Sequence, residues 1–184
     1  MFPQFLLLLI LALPQAATTQ EEPFIAFDHY HALAEIEAYL GAVAARYPQL
    51  VTLNEIGRSL VGRPIWAVDV NNPATGPVSE KPGFYVDGNI HGGEVLAGEG
   101  ALAFLERILS GYGTDPESTE LVDGRAFYVV PIVNPDGRAI SLDTPENHRW
   151  NIRPFDEDSD GRMDEDRVGG VDLNRNFPAN WSPT

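Results

Sequence analysis

Asp87-Gly88-Asn89-Ile90-His91-Gly92-Gly93-Glu94 is the stretch around which the rest of the chain is read. An apolar run, Gly83-Phe84-Tyr85-Val86, leads into it. A helical pattern leaves it near Glu94, with Val95, Leu102, Leu105, Ile108 and Leu109 recurring at three- and four-residue steps. The expected order is strand, bend, helix, with His91 at the carboxyl end of the strand and Glu94 in the first helical turn. Ligands of open α/β sheets bind at that place. Across a tight Gly-Gly bend, an imidazole and a carboxylate three residues apart can converge on one cation, and the donor types favour zinc. Taken alone, a His-x-x-Glu pair equally suits a loop histidine followed by a carboxylate facing the helix dipole. Its surroundings decide.

A length of 184 residues fits one domain, and a hydrophobic fraction of 43% is enough for a core. The formal net charge of −15 and a pI near 4.4 argue against nucleic acid or an anionic membrane as partner. There are no cysteines, which excludes disulfides and thiolate zinc sites and leaves His and carboxylate as the strong zinc ligands. Phe5 to Leu13 is an apolar run that ends at Pro14-Gln15-Ala16-Ala17 and is followed by polar residues. It is too short to span a bilayer and reads as a signal peptide, residues 1–19, cleaved between Ala16 and Thr19. The expected location is secreted, extracellular or periplasmic, with no stable membrane anchor.

Tyr30 to Tyr47 reads as an amphipathic helix with Leu33, Ile36, Leu40, Val43 and Ala44 on one face, ended by Pro48. Leu50–Gly57 alternates like a strand and Arg63–Val70 answers it after a turn at Gly62, which predicts a hairpin. Asn71 to Lys81 is a loop. A polar connection after Tyr112 leads to an apolar strand, Ala126 to Val133, and to the turn Asn134-Pro135-Asp136-Gly137. Strands alternating with helices imply an α/β fold. Arg138 to Gly170 has little periodicity, and a loop of that length in a compact domain usually carries function.

Gly88-Asn89-Ile90-His91-Gly92-Gly93-Glu94, then Asn134-Pro135-Asp136-Gly137, then Asp172-Leu173-Asn174-Arg175-Asn176-Phe177 together resemble the zinc carboxypeptidase family typified by carboxypeptidase A. Tyr30-His31, Gly57-Arg58-Ser59 and Gly62-Arg63-Pro64-Ile65-Trp66 resemble the opening of that catalytic domain, so the likeness runs from about Tyr30 to the last residue. It implies an α/β/α arrangement, a mixed, mostly parallel sheet flanked by helices, here incomplete at the carboxyl end, with residues 20–184 forming the amino-terminal portion of the catalytic domain.

The resemblance further implies that His91 and Glu94 are two of three protein ligands to one zinc ion. Asp172 matches the carboxylate that orients the ligand histidine, and Asn174 with Arg175 matches the pair that grips a substrate's terminal carboxylate. A guanidinium fork binds a carboxylate bidentately, which a lysine could not do. The arginine that polarises the scissile carbonyl matches Arg153 best, with Arg149 as competitor. Gly93 departs from the arginine that many family members carry there, which leaves one substrate subsite open.

Asp156 to Asp166 holds seven acids and one base. Asp156, Asp158, Asp160 and Asp164, with Gly161, have the spacing of an EF-hand-like calcium loop, although Arg167 stands where the bidentate glutamate belongs. A solvated acidic loop is the other reading. The family's third ligand histidine and catalytic glutamate are expected downstream, since no histidine follows His148. The leading expectation is a secreted zinc carboxypeptidase acting on peptides or proteins with a free carboxyl end, this stretch alone being inactive. The alternatives are a zinc amidohydrolase of the same fold and a non-catalytic calcium- or peptide-binding fragment.

Overall fold

The computed structural model describes residues 25–144, 147–152 and 170–178. The apolar run read as a signal peptide, Arg153, and the acidic block with Asp156, Asp158, Asp160 and Asp164 lie outside the described residues.

Helix α1 spans Leu33–Arg46 and buries Ile36, Tyr39, Leu40 and Val43, with Leu33 and Ala44 packed at the margin of the same core. Its start is fixed by Glu35, whose carboxylate accepts the Ala32 N–H at 2.7 Å and satisfies a donor that the helix leaves free. The hairpin follows as expected, β1 (Val51–Arg58) antiparallel to β2 (Pro64–Val70). Next come β3 (Gly83–Asp87), α2 (Val95–Ser110), α3 (Pro116–Gly124), β4 (Ala126–Val130) and α4 (Pro135–Asp143).

The four strands form one sheet in the order β1-β2-β4-β3. β4 is antiparallel to β2 and parallel to β3, with Phe84 opposite Phe127 and Tyr85 opposite Tyr128. The mixed α/β sheet flanked by helices is as expected. The expected predominance of parallel pairing is not met among the described strands, because the opening hairpin and its junction with β4 are both antiparallel and only the β3–α2–α3–β4 crossover yields a parallel pair.

Two further differences concern helices. The connection after Tyr112 contains α3, started by Asp115 as N-cap and Pro116 at the first position. Asn134-Pro135-Asp136-Gly137 is no isolated turn: Asn134 caps α4, its side chain accepting from the Gly137 N–H, with Pro135 at the first position. Residues 138–143, expected as loop, are therefore helical.

One core joins α1, α2 and a sheet face through Leu40, Val43, Val51, Val70, Leu102, Leu105, Leu109, Phe127 and Val129. Aliphatic burial on this scale stabilises by about 1.5–3 kcal/mol per large side chain. Tyr39 donates to Glu106 at 3.1 Å and links α1 to α2 inside it. No helix among the described residues is long and apolar enough to cross a membrane.

Candidate metal centre

Because β3 and β4 run side by side in parallel, their carboxyl ends open on the same rim of the sheet. The segment after β4 pairs with the bend after β3: the Val133 N–H donates to the Gly88 carbonyl at 3.0 Å and the Asn134 N–H to the Asn89 carbonyl at 3.1 Å. Asn89 sits at φ 55°, a left-handed backbone that asparagine tolerates better than most side chains. Its amide donates to the carbonyls of His91 and Gly92 at 2.7 and 2.8 Å and so curls the chain back on itself. Gly92 packs directly on the Gly137 backbone, where no side chain would fit.

The bend turns His91 inward, 5% exposed, and leaves Glu94 as N-cap of α2. An N-cap carboxylate ordinarily accepts from its own helix. Glu94 makes no such bond; its Oε1 stands 2.9 Å from His91 Nδ1. On the other side of the ring, His91 Nε2 lies 3.1 Å from Asp172 Oδ1. Both ring nitrogens thus face carboxylate oxygens, which can only accept, so a neutral ring donates to one of them and turns the lone pair of its other nitrogen toward the second carboxylate. A lone pair and a carboxylate oxygen this close require a cation or a shared proton between them. Two donors sharing one tetrahedral zinc stand about 3.3 Å apart, so the pair fits a zinc ion with a small opening of the gap. Among the described residues, no group of three or more His, Cys, Asp and Glu could hold a metal.

Asp172 caps the 3-10 turn Leu173–Arg175, its Oδ1 also accepting the Asn174 N–H at 3.0 Å. Its Oδ2 accepts from Arg149 Nε at 2.8 Å. Burial works against the ionised form, but the hydrogen bonds from Arg149 and His91 outweigh it and hold the Asp172 carboxyl below its ordinary range. Arg149 also reaches within 3.7 Å of Glu94 Oε1 and is a third exposed. It thus faces the carboxylates of the centre directly. Asn174 and Arg175 are exposed on the same turn, with the Arg175 guanidinium donating to the Asn174 carbonyl at 3.0 Å.

His91, Glu94 and Asp172 are therefore brought together, with Arg149 beside them and Asn174 and Arg175 on the adjoining turn. Gly93, where a side chain is absent, is filled over by the Asn147 side chain. Glu99 and Glu106 are committed elsewhere, to Arg138 and His31 and to Tyr39. Sequence reasoning passed over Asn89, Asn134 and Arg138. Asn134 lies 3.4 Å from the Ile90 carbonyl and donates to the Trp150 carbonyl at 2.9 Å, tying two loops to the helix it caps. A Gly-Asn pair directly after the β3 strand, and an arginine one position beyond the Asn-Pro-Asp-Gly stretch, were the available signals.

The sequence profile of the zinc carboxypeptidase family matches residues 36–184. Carboxypeptidase E of Caenorhabditis elegans is 34% identical over 83% of this chain and 30% of its own length. Carboxypeptidase D of Drosophila melanogaster is 32% identical over 90% of the chain and 11% of its own. The chain thus spans less than a third of these relatives. In structure it resembles thrombin activatable fibrinolysis inhibitor, with a TM-score of 0.73 and 27% identity over 89% of this chain and 39% of that one. It also resembles carboxypeptidase A from Helicoverpa armigera, with a TM-score of 0.72 and 28% identity over 91% and 38%.

Proposed function

The chain belongs to the zinc carboxypeptidase family, and from that premise we propose that it carries the amino-terminal half of the active site of an exported, zinc-dependent carboxypeptidase. The observation that supports this most is the convergence of His91 Nδ1 and Glu94 Oε1 at 2.9 Å, with Asp172 on the opposite nitrogen of the same ring.

His91 and Glu94 would hold the metal, with a further ligand and a general base supplied from outside the described residues. A zinc ion in that place supplies Lewis-acid chemistry, drawing electron density from a peptide carbonyl. Asp172 keeps the His91 proton on Nε2 and steadies the ring, which raises the basicity of Nδ1. Asn174 and Arg175, exposed beside Asp172, bind the terminal carboxylate of a peptide by a bidentate, charge-assisted grip. Arg153, outside the described residues, shares the negative charge that develops on the carbonyl oxygen. Arg149 is already bonded to Asp172, which favours Arg153 for that task. The apolar run Phe5 to Leu13 supports export.

Metal analysis of the full-length protein tests this reading. One zinc per chain is expected, falling well below stoichiometry in His91→Ala and in Glu94→Gln. Full retention of zinc in both variants would mean that the ion sits elsewhere.

A further inference from the structure

Arg138 is fully buried, yet no part of the chemistry above uses it. Its guanidinium has five N–H donors, and each finds an acceptor. Nη1 donates to Asn89 Oδ1 at 2.7 Å and to the Val95 carbonyl at 3.1 Å. Nη2 donates to Glu99 Oε1 at 2.5 Å and to the His31 carbonyl at 2.7 Å, and Nε donates to that same carbonyl at 3.2 Å. Glu99 is anchored in turn, accepting the His31 N–H at 3.0 Å on Oε1 and facing His31 Nδ1 at 2.7 Å with Oε2. The His31 ring is pinned at its far side, Nε2 lying 3.0 Å from the Ala26 carbonyl.

Two of these contacts bracket the metal loop. Asn89 precedes His91 and Val95 follows Glu94, so one rigid, planar group holds both stems of the bend. Asn89 passes the constraint on, because its Oδ1 is fixed by Arg138 while its Nδ2 donates to the carbonyls of His91 and Gly92. We infer that Arg138, Glu99 and Asn89 are positioning residues for the metal ligands: the buried ion pair fixes the Asn89 amide, and that amide sets the backbone from which His91 is presented. This rests on the zinc reading above. Ligand spacing within a few tenths of an ångström governs metal affinity, and the partners that orient ligands typically change it by about 10–100-fold.

A buried ion pair could also serve the fold alone, so the test must separate the two roles. Asn89→Gly is suited to it, since glycine adopts a φ of 55° without strain and loses only the amide bridge. Asn89→Asp keeps the acceptor for Arg138 and sets a carboxylate oxygen against the two loop carbonyls. Arg138→Lys keeps the charge and offers three donors for five positions. In the full-length protein, three quantities are compared with the parent: zinc dissociation constants from chelator competition, melting temperatures of the zinc-free forms, and kcat and KM on one peptide. The expected result is zinc held about 10–100-fold more weakly in Asn89→Gly and Asn89→Asp, with kcat falling, KM little changed and the zinc-free melting temperature of Asn89→Gly near the parent's. Should Arg138→Lys fail to fold, Asn89→Gly alone decides. Parent-like zinc affinity and kcat in Asn89→Gly would overturn the inference, whatever happened to the melting temperature. Absence of zinc from the parent would instead overturn the function reading on which it rests.

Discussion

Asp172 holds His91 from 81 positions away, its Oδ1 lying 3.1 Å from Nε2 of the imidazole. Arg149 occupies the other carboxylate oxygen at 2.8 Å, so the aspartate is fixed on both sides. Asp172→Asn preserves the shape but can present an N–H to the ring and so favour the wrong tautomer. Zinc retention measured by chelator competition should weaken by about 10–100-fold, with little change in the melting temperature of the zinc-free protein. Unchanged retention would mean that the contact does not govern the ring.

Gly92 lies against the Gly137 backbone, and a Cβ at position 92 would overlap it. Neither side of that contact has a flexible side chain to yield, so the bend and the start of α4 must move apart. Gly92→Ala should cost about 1–3 kcal/mol of stability and also lower zinc content, because His91 and Glu94 flank the displaced segment. Chemical denaturation together with metal analysis checks both.

Glu99 titrates below the ordinary carboxylate range: burial pushes it up, but the hydrogen bonds from the His31 ring and backbone and from Arg138 outweigh it. The folded value is thus lower than the unfolded one. Its contribution to stability is whole above the unfolded value of about 4.3, and it fades as the pH falls through the lower folded value. The zinc-free parent should lose stability steeply in that acid window. Glu99→Gln should be less stable near neutrality by about 3–5 kcal/mol, the cost of leaving a buried cation unpaired, and should show a shallower acid decline. Parallel stability–pH curves for the two would contradict this.

Much of the site was legible because it is local. A strand, a Gly-Gly bend and a helix start set His91 and Glu94 by short-range geometry alone, and helical periodicity gave the buried faces of α1 and α2. The link to Asp172 came from resemblance, since no local pattern joins residues 81 apart. α3 and α4 escaped because each is only nine residues long, so their starts are marked by Asp115-Pro116 and Asn134-Pro135 rather than by periodicity. Those dipeptides read equally well as turns. The β1-β2-β4-β3 order and the Arg138 cluster depend on contacts between distant elements, which neither propensity nor spacing encodes.

Arg175 is exposed beside the centre, and its guanidinium donates to the Asn174 carbonyl. If it grips the terminal carboxylate, Arg175→Ala should lower kcat/KM on free-acid peptides by the equivalent of about 2–5 kcal/mol. Amidated peptides should lose far less. A kinetic comparison of the two substrates in the variant and the parent reads this out.

The most direct measurement follows the products of the full-length, zinc-loaded protein acting on a pair of peptides that differ only in a free or amidated carboxyl end. A carboxypeptidase built on His91, Glu94, Asn174 and Arg175 releases single residues from the free-acid peptide, stops when zinc is chelated, and acts on the amide orders of magnitude more slowly. Equal hydrolysis of both peptides, or cleavage at internal bonds, would contradict the account and point to an amidohydrolase on the same fold.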